Sequence, residues 1–250
     1  MKLSVVTPVY NEPRVARALD SILSQQAHFS IEPIVIDGGS TDQTLKVLSS
    51  YRSRLAVFIS EPDRGIYDAM NKGVARATGD VVGILNSDDR YADNRVLERV
   101  AEVLQDPTID ACYGNLVYVD GRDRVIRYWR AGRYRPSSYH LGWMPPHPTF
   151  FVRRSAYARY GTFDTSFPIA ADYELMLRLM VRYRIKVRYI DAVLVRMAAG
   201  GNSGRSPWTV VRAGVEVFRS WRKNRLAYGY FAPVLKPGRK IAQYVVRERA

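Results

Sequence analysis

The sequence has one cysteine, Cys112, and three histidines in 250 residues. A lone thiol forms no intrachain disulfide, and no Cys/His group has the spacing of a zinc site, so neither device holds this fold together. The chain is expected in a reducing, cytoplasmic compartment. No G-x-G-x-x-G and no G-x-x-x-x-G-K-[ST] occurs, which sets aside the dinucleotide and P-loop phosphate sites. No apolar run approaches the roughly 18 residues of a membrane-spanning helix. The opening MKLSVVTPVYNE reaches Asn11 and Glu12 too early to hold a secretory core. Acidic residues are few as well: 24 Asp+Glu against 38 Lys+Arg, a net charge of +14.

What is present is enough apolar material, 47% of residues, to bury a substantial core, which argues against extensive disorder. The positive charge is unevenly placed. From Arg205 to Ala250 there are eleven basic residues and two acidic ones, Glu216 and Glu248, so nine of the fourteen net charges lie in this tail. Such a field attracts polyanions, anionic lipid surfaces or anionic small molecules.

The first hundred residues alternate strand and helix. Leu3–Thr7, Pro33–Asp37, Leu55–Ile59 and Val81–Leu85 read as buried strands. Between them Arg14–Ser24, Thr41–Ser50 and Tyr67–Arg76 carry apolar residues at helical spacing. That order predicts βαβ units and a mostly parallel sheet flanked by helices. Further on, Arg95–Leu104 and Tyr173–Tyr183 read as helices and Thr149–Val152 as a strand. Ala111–Val119 and Arg124–Trp129 read as a hairpin turned at Asp120–Gly121. Cys112 reads as a small buried hydrophobe, and Trp143, Met144 and Phe150 as core.

In an open α/β sheet, ligands bind beyond the carboxyl ends of the strands. Each of the first four strands ends in a polar stretch: Thr7-Pro8-Val9-Tyr10-Asn11-Glu12, Asp37-Gly38-Gly39-Ser40-Thr41-Asp42, Glu61-Pro62-Asp63-Arg64-Gly65 and Asn86-Ser87-Asp88-Asp89. Taken singly, Asp37 fits a turn feeding a helix cap, and Asp88-Asp89 a solvated capping pair. Adjacent carboxylates at the end of a buried strand repel unless a positive charge lies between them. A hard divalent cation shared with substrate phosphates supplies that charge.

The runs VVTPVYNE, VIDGGSTDQT, EPDRGIYDAMNKGVARATGD, LNSDD and ADYELMLRL, in this order, resemble those of family 2 glycosyltransferases of the GT-A fold, in the branch that builds exopolysaccharides and lipid-linked glycans. The resemblance covers about residues 1–200. It implies an inverting, metal-dependent transfer of a sugar from a nucleotide sugar, most often a UDP-sugar, to a glycan or a polyprenyl-diphosphate-linked acceptor. By the same resemblance Thr7, Pro8, Tyr10 and Glu12 embrace the nucleoside, Asp37 accepts a hydrogen bond from the base, and Arg64 stands near base or phosphates. The metal element of the family falls on Asn86-Ser87-Asp88, followed by Asp89. Asn86 replaces its first Asp, leaving open which of Asp88 and Asp89 holds Mn2+ or Mg2+ and which meets the ribose. The general base falls on Asp172, without the Glu that precedes it in relatives. Asp172 also fits an N-cap with Glu174 in the first turn. His147 and Glu174 fall on the acceptor side, and Asn202 and Ser203 in a loop that closes over the diphosphate in relatives. A non-catalytic relative that only binds nucleotide sugars is a further reading of the departures at Asn86 and before Asp172.

The sequence thus divides into a catalytic domain, 1–204, and a basic extension, 205–250. Trp208–Arg225 draws as an amphipathic helix with Trp208, Val211, Val215, Phe218 and Trp221 on one side. It fits an interfacial helix on the inner face of the cell membrane, or a helix packed on the catalytic domain with a solvated basic face. A nucleic-acid partner is not expected, because acidic strand ends would repel its phosphates.

Overall fold

The structure is a computed structural model that describes residues 1–199 and 207–226. Its centre is one curled sheet in the order β3-β2-β1-β4-β8-β6-β9-β5, with β7 paired to β6. The first half is parallel, as the alternation predicts. β1 (Lys2–Val9) lies between β2 (Ser30–Asp37) and β4 (Val81–Ile84), and β2 pairs with β3 (Val57–Ser60). The register sets Val9 opposite Asp37 and Asp37 opposite Ser60, so three strands end in one row.

Both faces of this half are covered, because the strands are apolar on both sides. Along β1, Leu3, Val5 and Val9 join one core cluster and Val6 the other. On the first face lie α1 (Ala16–Leu23), α2 (Thr44–Tyr51) and α4 (Val96–Leu104), through Leu19, Ile22, Leu48, Leu97 and Val100. On the second lies α3 (Ile66–Arg76), through Ala69, Met70 and Val74. Gly73 lets α3 sit directly on β1, since a Cβ there would strike the Val6 side chain.

The second half is mixed. β8 (Phe151–Arg153) runs antiparallel to β4 and β6 (Ala111–Val119), and β7 (Val125–Trp129) forms the expected hairpin with β6. β9 (Val187–Ala198) runs parallel to β6 along most of its length, and the short β5 (Arg90–Tyr91) pairs with it. Neither β9 nor α5 (Arg154–Tyr160) stands out in the sequence pattern. Charges at Arg188, Asp191 and Arg196 interrupt the alternation of β9, which is only half-buried.

The helix expected over Tyr173–Tyr183 begins as α6 (Ala171–Leu177) and continues as a π-helical turn over Arg178–Arg182. The last described helix, α7 (Pro207–Lys223), packs on α6. Its apolar residues divide. Val217 and Trp221 are buried, whereas Trp208, Val211 and Val215 are exposed, at 75%, 56% and 53%. The single apolar side drawn from the sequence therefore serves two surroundings. Cys112, Trp143, Met144 and Phe150 are buried in the core, as expected.

Candidate active site

The carboxyl ends of β1, β2 and β3 are tied into one rigid rim. Asp37 is fully buried, and its carboxylate accepts from the Ser40 amide (3.1 Å), the Gly39 amide (3.2 Å), the Ser60 hydroxyl (2.6 Å) and the Ser40 hydroxyl. Asp37 thus forms the floor of the rim. The Asn11 amide donates to Ser40 Oγ at 2.8 Å, while Asn11 Oδ1 accepts from the Thr41 amide at 2.9 Å. These bonds hold Asn11 at φ +47°, a left-handed conformation that Asn tolerates better than most residues.

Around that floor, Thr7 and Pro8 are buried and Tyr10 is exposed. Thr7 Oγ1 is buried without a hydrogen-bond partner. Glu12 is half-buried and accepts two bonds from the Arg14 guanidinium at 2.7 Å, which hold its carboxyl below the usual range. Arg64 is largely exposed and reaches back to Asp68 at 3.2 Å.

The end of β4 is electrostatically strained. Asp88 is half-buried and Asp89 fully buried. Desolvation pushes the Asp88 carboxyl up, and the nearby Glu12 charge adds to the effect while Arg14 opposes it. Asp89 is pushed up further, by burial and then by the Asp88 charge. Asp89 Oδ2 accepts from Asn86 Nδ2 at 3.1 Å, but Asp89 Oδ1 and Asn86 Oδ1 are buried without partners. Buried acceptors left unpaired are costly, and these two point to a group still to be bound. Among the described residues no set of three His, Cys, Asp or Glu comes together as a protein-only metal site. Two carboxylates completed by substrate phosphates fit the donor set of a Mg2+ or Mn2+ site.

A second group forms around Asp172, in the first turn of α6 and half-buried. The Tyr67 hydroxyl donates to Asp172 Oδ1 at 3.2 Å and to the Ile169 carbonyl at 2.9 Å. Tyr67 stacks on Phe163 (centroids 5.7 Å), and His147 meets the same ring edge-on at 6.2 Å. Burial lowers the His147 pKa against the pull of the Asp172 charge, so the imidazole is neutral at pH 7, with Nε2 unpartnered. Tyr67 is a residue that sequence reasoning missed, because it meets Asp172 from 105 positions away.

Glu174 does not join this group. It is 2% exposed, pairs with Arg178 through two 3.0 Å bonds, and accepts from Asn224 Nδ2 at 2.9 Å. The acceptor-side place expected for it gives way to an interior anchor between α6 and the end of α7. Asn202 and Ser203 lie outside the described residues.

A family model described as Glycosyl transferase family 2 matches residues 4–168, about two thirds of the chain. The chain belongs to glycosyl transferase family 2. A glycosyltransferase of Mycobacterium tuberculosis is 35% identical over 186 residues, covering 70% of this chain and 68% of that one. A PGL/p-HBAD biosynthesis glycosyltransferase of Mycobacterium bovis is 26% identical over 196 residues, covering 76% and 74%. In fold, this family 2 glycosyltransferase is similar to TarS of S. aureus solved with UDP. The TM-score is 0.62 at 21% identity, over 87% of this chain and 66% of that one. It is also similar to a mannosyltransferase of Pyrobaculum calidifontis solved with GDP-Man and Mn2+. There the TM-score is 0.66 at 22% identity, over 93% and 67%. Its mixed, curled α/β sheet is the GT-A fold, and its class is that of a nucleotide-sugar glycosyltransferase.

Proposed function

We propose that this glycosyltransferase moves a sugar, with inversion, from a UDP-sugar to a hydroxyl of a glycan or polyprenyl-diphosphate-linked acceptor. The nucleoside lies on the rim of Thr7, Pro8, Tyr10, Glu12 and Arg64, over the floor that Asp37 builds. Asp88 and Asp89 would hold Mn2+ or Mg2+, a cation that would stabilise the charge developing on the leaving diphosphate. Asp172 is the general base. Its Oδ1 accepts from the Tyr67 hydroxyl, which leaves Oδ2 to take the acceptor's proton. As the acceptor oxygen bonds to the anomeric carbon, its proton passes to Asp172 and the carbon–oxygen bond to the diphosphate breaks. Neutral His147 lies beside this path as a hydrogen-bonding group for the acceptor. Glycosidases, by contrast, place two carboxyl groups across the glycosidic bond.

The observation that carries the reading is the pair of carboxylates at the end of β4, pushed toward protonation, with buried oxygen atoms unpaired beside them. A cation and a diphosphate would satisfy both needs. The fold neighbours solved with UDP and with GDP-Man and Mn2+ are in keeping with that ligand class. The test is a panel of nucleotide sugars screened for Mn2+-dependent thermal stabilisation, followed by release of the nucleoside diphosphate. Stabilisation by UDP-sugars and turnover of one of them is expected. Stabilisation without turnover of any donor favours the binding-only reading instead.

The extension 205–250 we propose as the membrane-facing part of the protein, on the inner face of the cell membrane. Among the described residues no helix is long and apolar enough to cross a bilayer. The exposed stripe Trp208, Val211 and Val215 on α7, with Arg212 and Arg219 also exposed, has the composition that inserts into an anionic surface. Because Trp221 is part of the core, the test keeps the full chain. Replacing Trp208, Val211 and Val215 by Ser should release the protein from anionic vesicles, and equal cosedimentation would overturn the assignment.

A further inference from the structure

α7 lies beyond the residues that define the family, yet its buried face is tied to the segment carrying Asp172. Glu216, 4% exposed, accepts through Oε2 from the backbone amides of Ile169 and Ala170, both at 2.9 Å. These two amides stand at and just before the N-cap of α6, Ala170, where no residue within the helix accepts them. Their acceptor comes instead from α7, forty-seven and forty-six positions later in the chain. On the opposite side of the same peptide segment, the Ile169 carbonyl accepts from Tyr67, which also holds Asp172. Two further bonds repeat the tie: Trp221 Nε1 donates to the Tyr173 hydroxyl and Asn224 Nδ2 to Glu174, both at 2.9 Å.

We infer that Glu216 is a positioning residue for the transfer reaction. It fixes the first turn of α6 so that the Asp172 carboxylate meets the acceptor hydroxyl. This inference rests on the reading of Asp172 as the base. Anchoring these two amides from α7 joins the extension to the reacting group. Misplacing a base by about an ångström slows an oriented reaction by about 100-fold.

The experiment compares Glu216→Ala and Glu216→Gln in the full-length chain, with Asp172→Asn alone and combined with Glu216→Ala. Three quantities are read: affinity for UDP with Mn2+ by calorimetry, turnover of the donor selected by the panel, and amide hydrogen exchange at Ile169 and Ala170. In Glu216→Ala, faster exchange at these two amides, a 10- to 100-fold fall in kcat and UDP affinity within twofold are expected. Gln keeps one carbonyl oxygen for both amides, so Glu216→Gln should recover protection and most of kcat. In the Asp172→Asn background, Glu216→Ala should cost nothing more. Full turnover in a folded Glu216→Ala protein overturns the inference, as does a Gln variant as impaired as Ala or an equal loss of UDP affinity. Turnover retained in Asp172→Asn overturns the base assignment instead, so the two failures are separable.

Discussion

The two ends of the β-sheet treat the same functional group in opposite ways. At the amino end, Glu32 of β2 is buried beside Ser4 of β1, next to the turn that follows α3. It accepts from Ser4 Oγ (2.6 Å), Thr78 Oγ1 (2.6 Å), the Thr78 amide (2.8 Å) and the Lys2 ammonium. Burial works against its charge, yet these donors outweigh it and bring the pKa to about 2. At the carboxyl end, Asp89 is buried and Asp88 half-buried, and there burial and the neighbouring carboxylates outweigh the groups that favour their charge. The amino end is satisfied within the fold; the carboxyl end leaves Asp89 Oδ1 and Asn86 Oδ1 buried without a partner. A carboxylate that the fold needs comes with its donors, and one that a substrate needs is left short of them.

Substitutions at the two ends should therefore fail in different ways. The largest effect belongs to Asp172→Asn, which should lower kcat by about 10²–10⁴-fold with the melting temperature nearly unchanged. Retained turnover would remove it from the base role. At the other end, Glu32→Ala should lower stability by about 3 kcal/mol, because it removes the acceptor shared by the buried Ser4 hydroxyl, the Thr78 amide and hydroxyl and the Lys2 ammonium. In a chain of this size that is roughly 5–10 °C in Tm, with UDP affinity intact. A stable Glu32→Ala protein that had lost UDP binding would break the comparison.

The pH dependences run in opposite directions too. The Glu32 pKa is depressed on folding, so its contribution is full above about 4.5 and lost as pH falls toward 2. The stability gap between wild type and Glu32→Gln should close over that window. Asp88 and Asp89 are raised, so their ionisation costs the fold stability at neutral pH and that cost falls away as pH is lowered. With UDP present, Mn2+ should raise Tm at pH 7 and raise it less as pH falls, as protons compete for the same oxygens. An Mn2+ effect that is constant with pH would place the cation elsewhere. The smallest expected effect is that of Arg64→Ala, a loss of a few fold in UDP affinity. Its exposed pair with Asp68 is worth little to the fold.

The parallel half of the sheet was legible because short continuous apolar strands alternate with helices whose apolar residues recur about every 3.6 positions. The rim residues were legible because each follows a strand directly. What escaped is what depends on distant contacts. β9 is paired over twelve residues, but its charges mask the alternation. Tyr67 and Glu216 look like ordinary positions on α3 and α7, and only the fold brings them to α6 from 105 and about 46 residues away. Asp172 was legible only through the family resemblance, since a lone Asp at a helix start equally reads as a cap. The basic tail was misjudged as one amphipathic side: Trp221 packs inward, while Trp208 faces out.

The central claim is that the carboxyl end of β4 is built for a cation and a diphosphate together. Calorimetric titration of UDP at pH 7, with Mn2+ and then with excess chelator, tests it on wild type and on the Asp88→Ala, Asp89→Ala double variant. The account predicts tight binding only to wild type with Mn2+. Equal UDP affinity in the double variant, or in wild type without the metal, would contradict it.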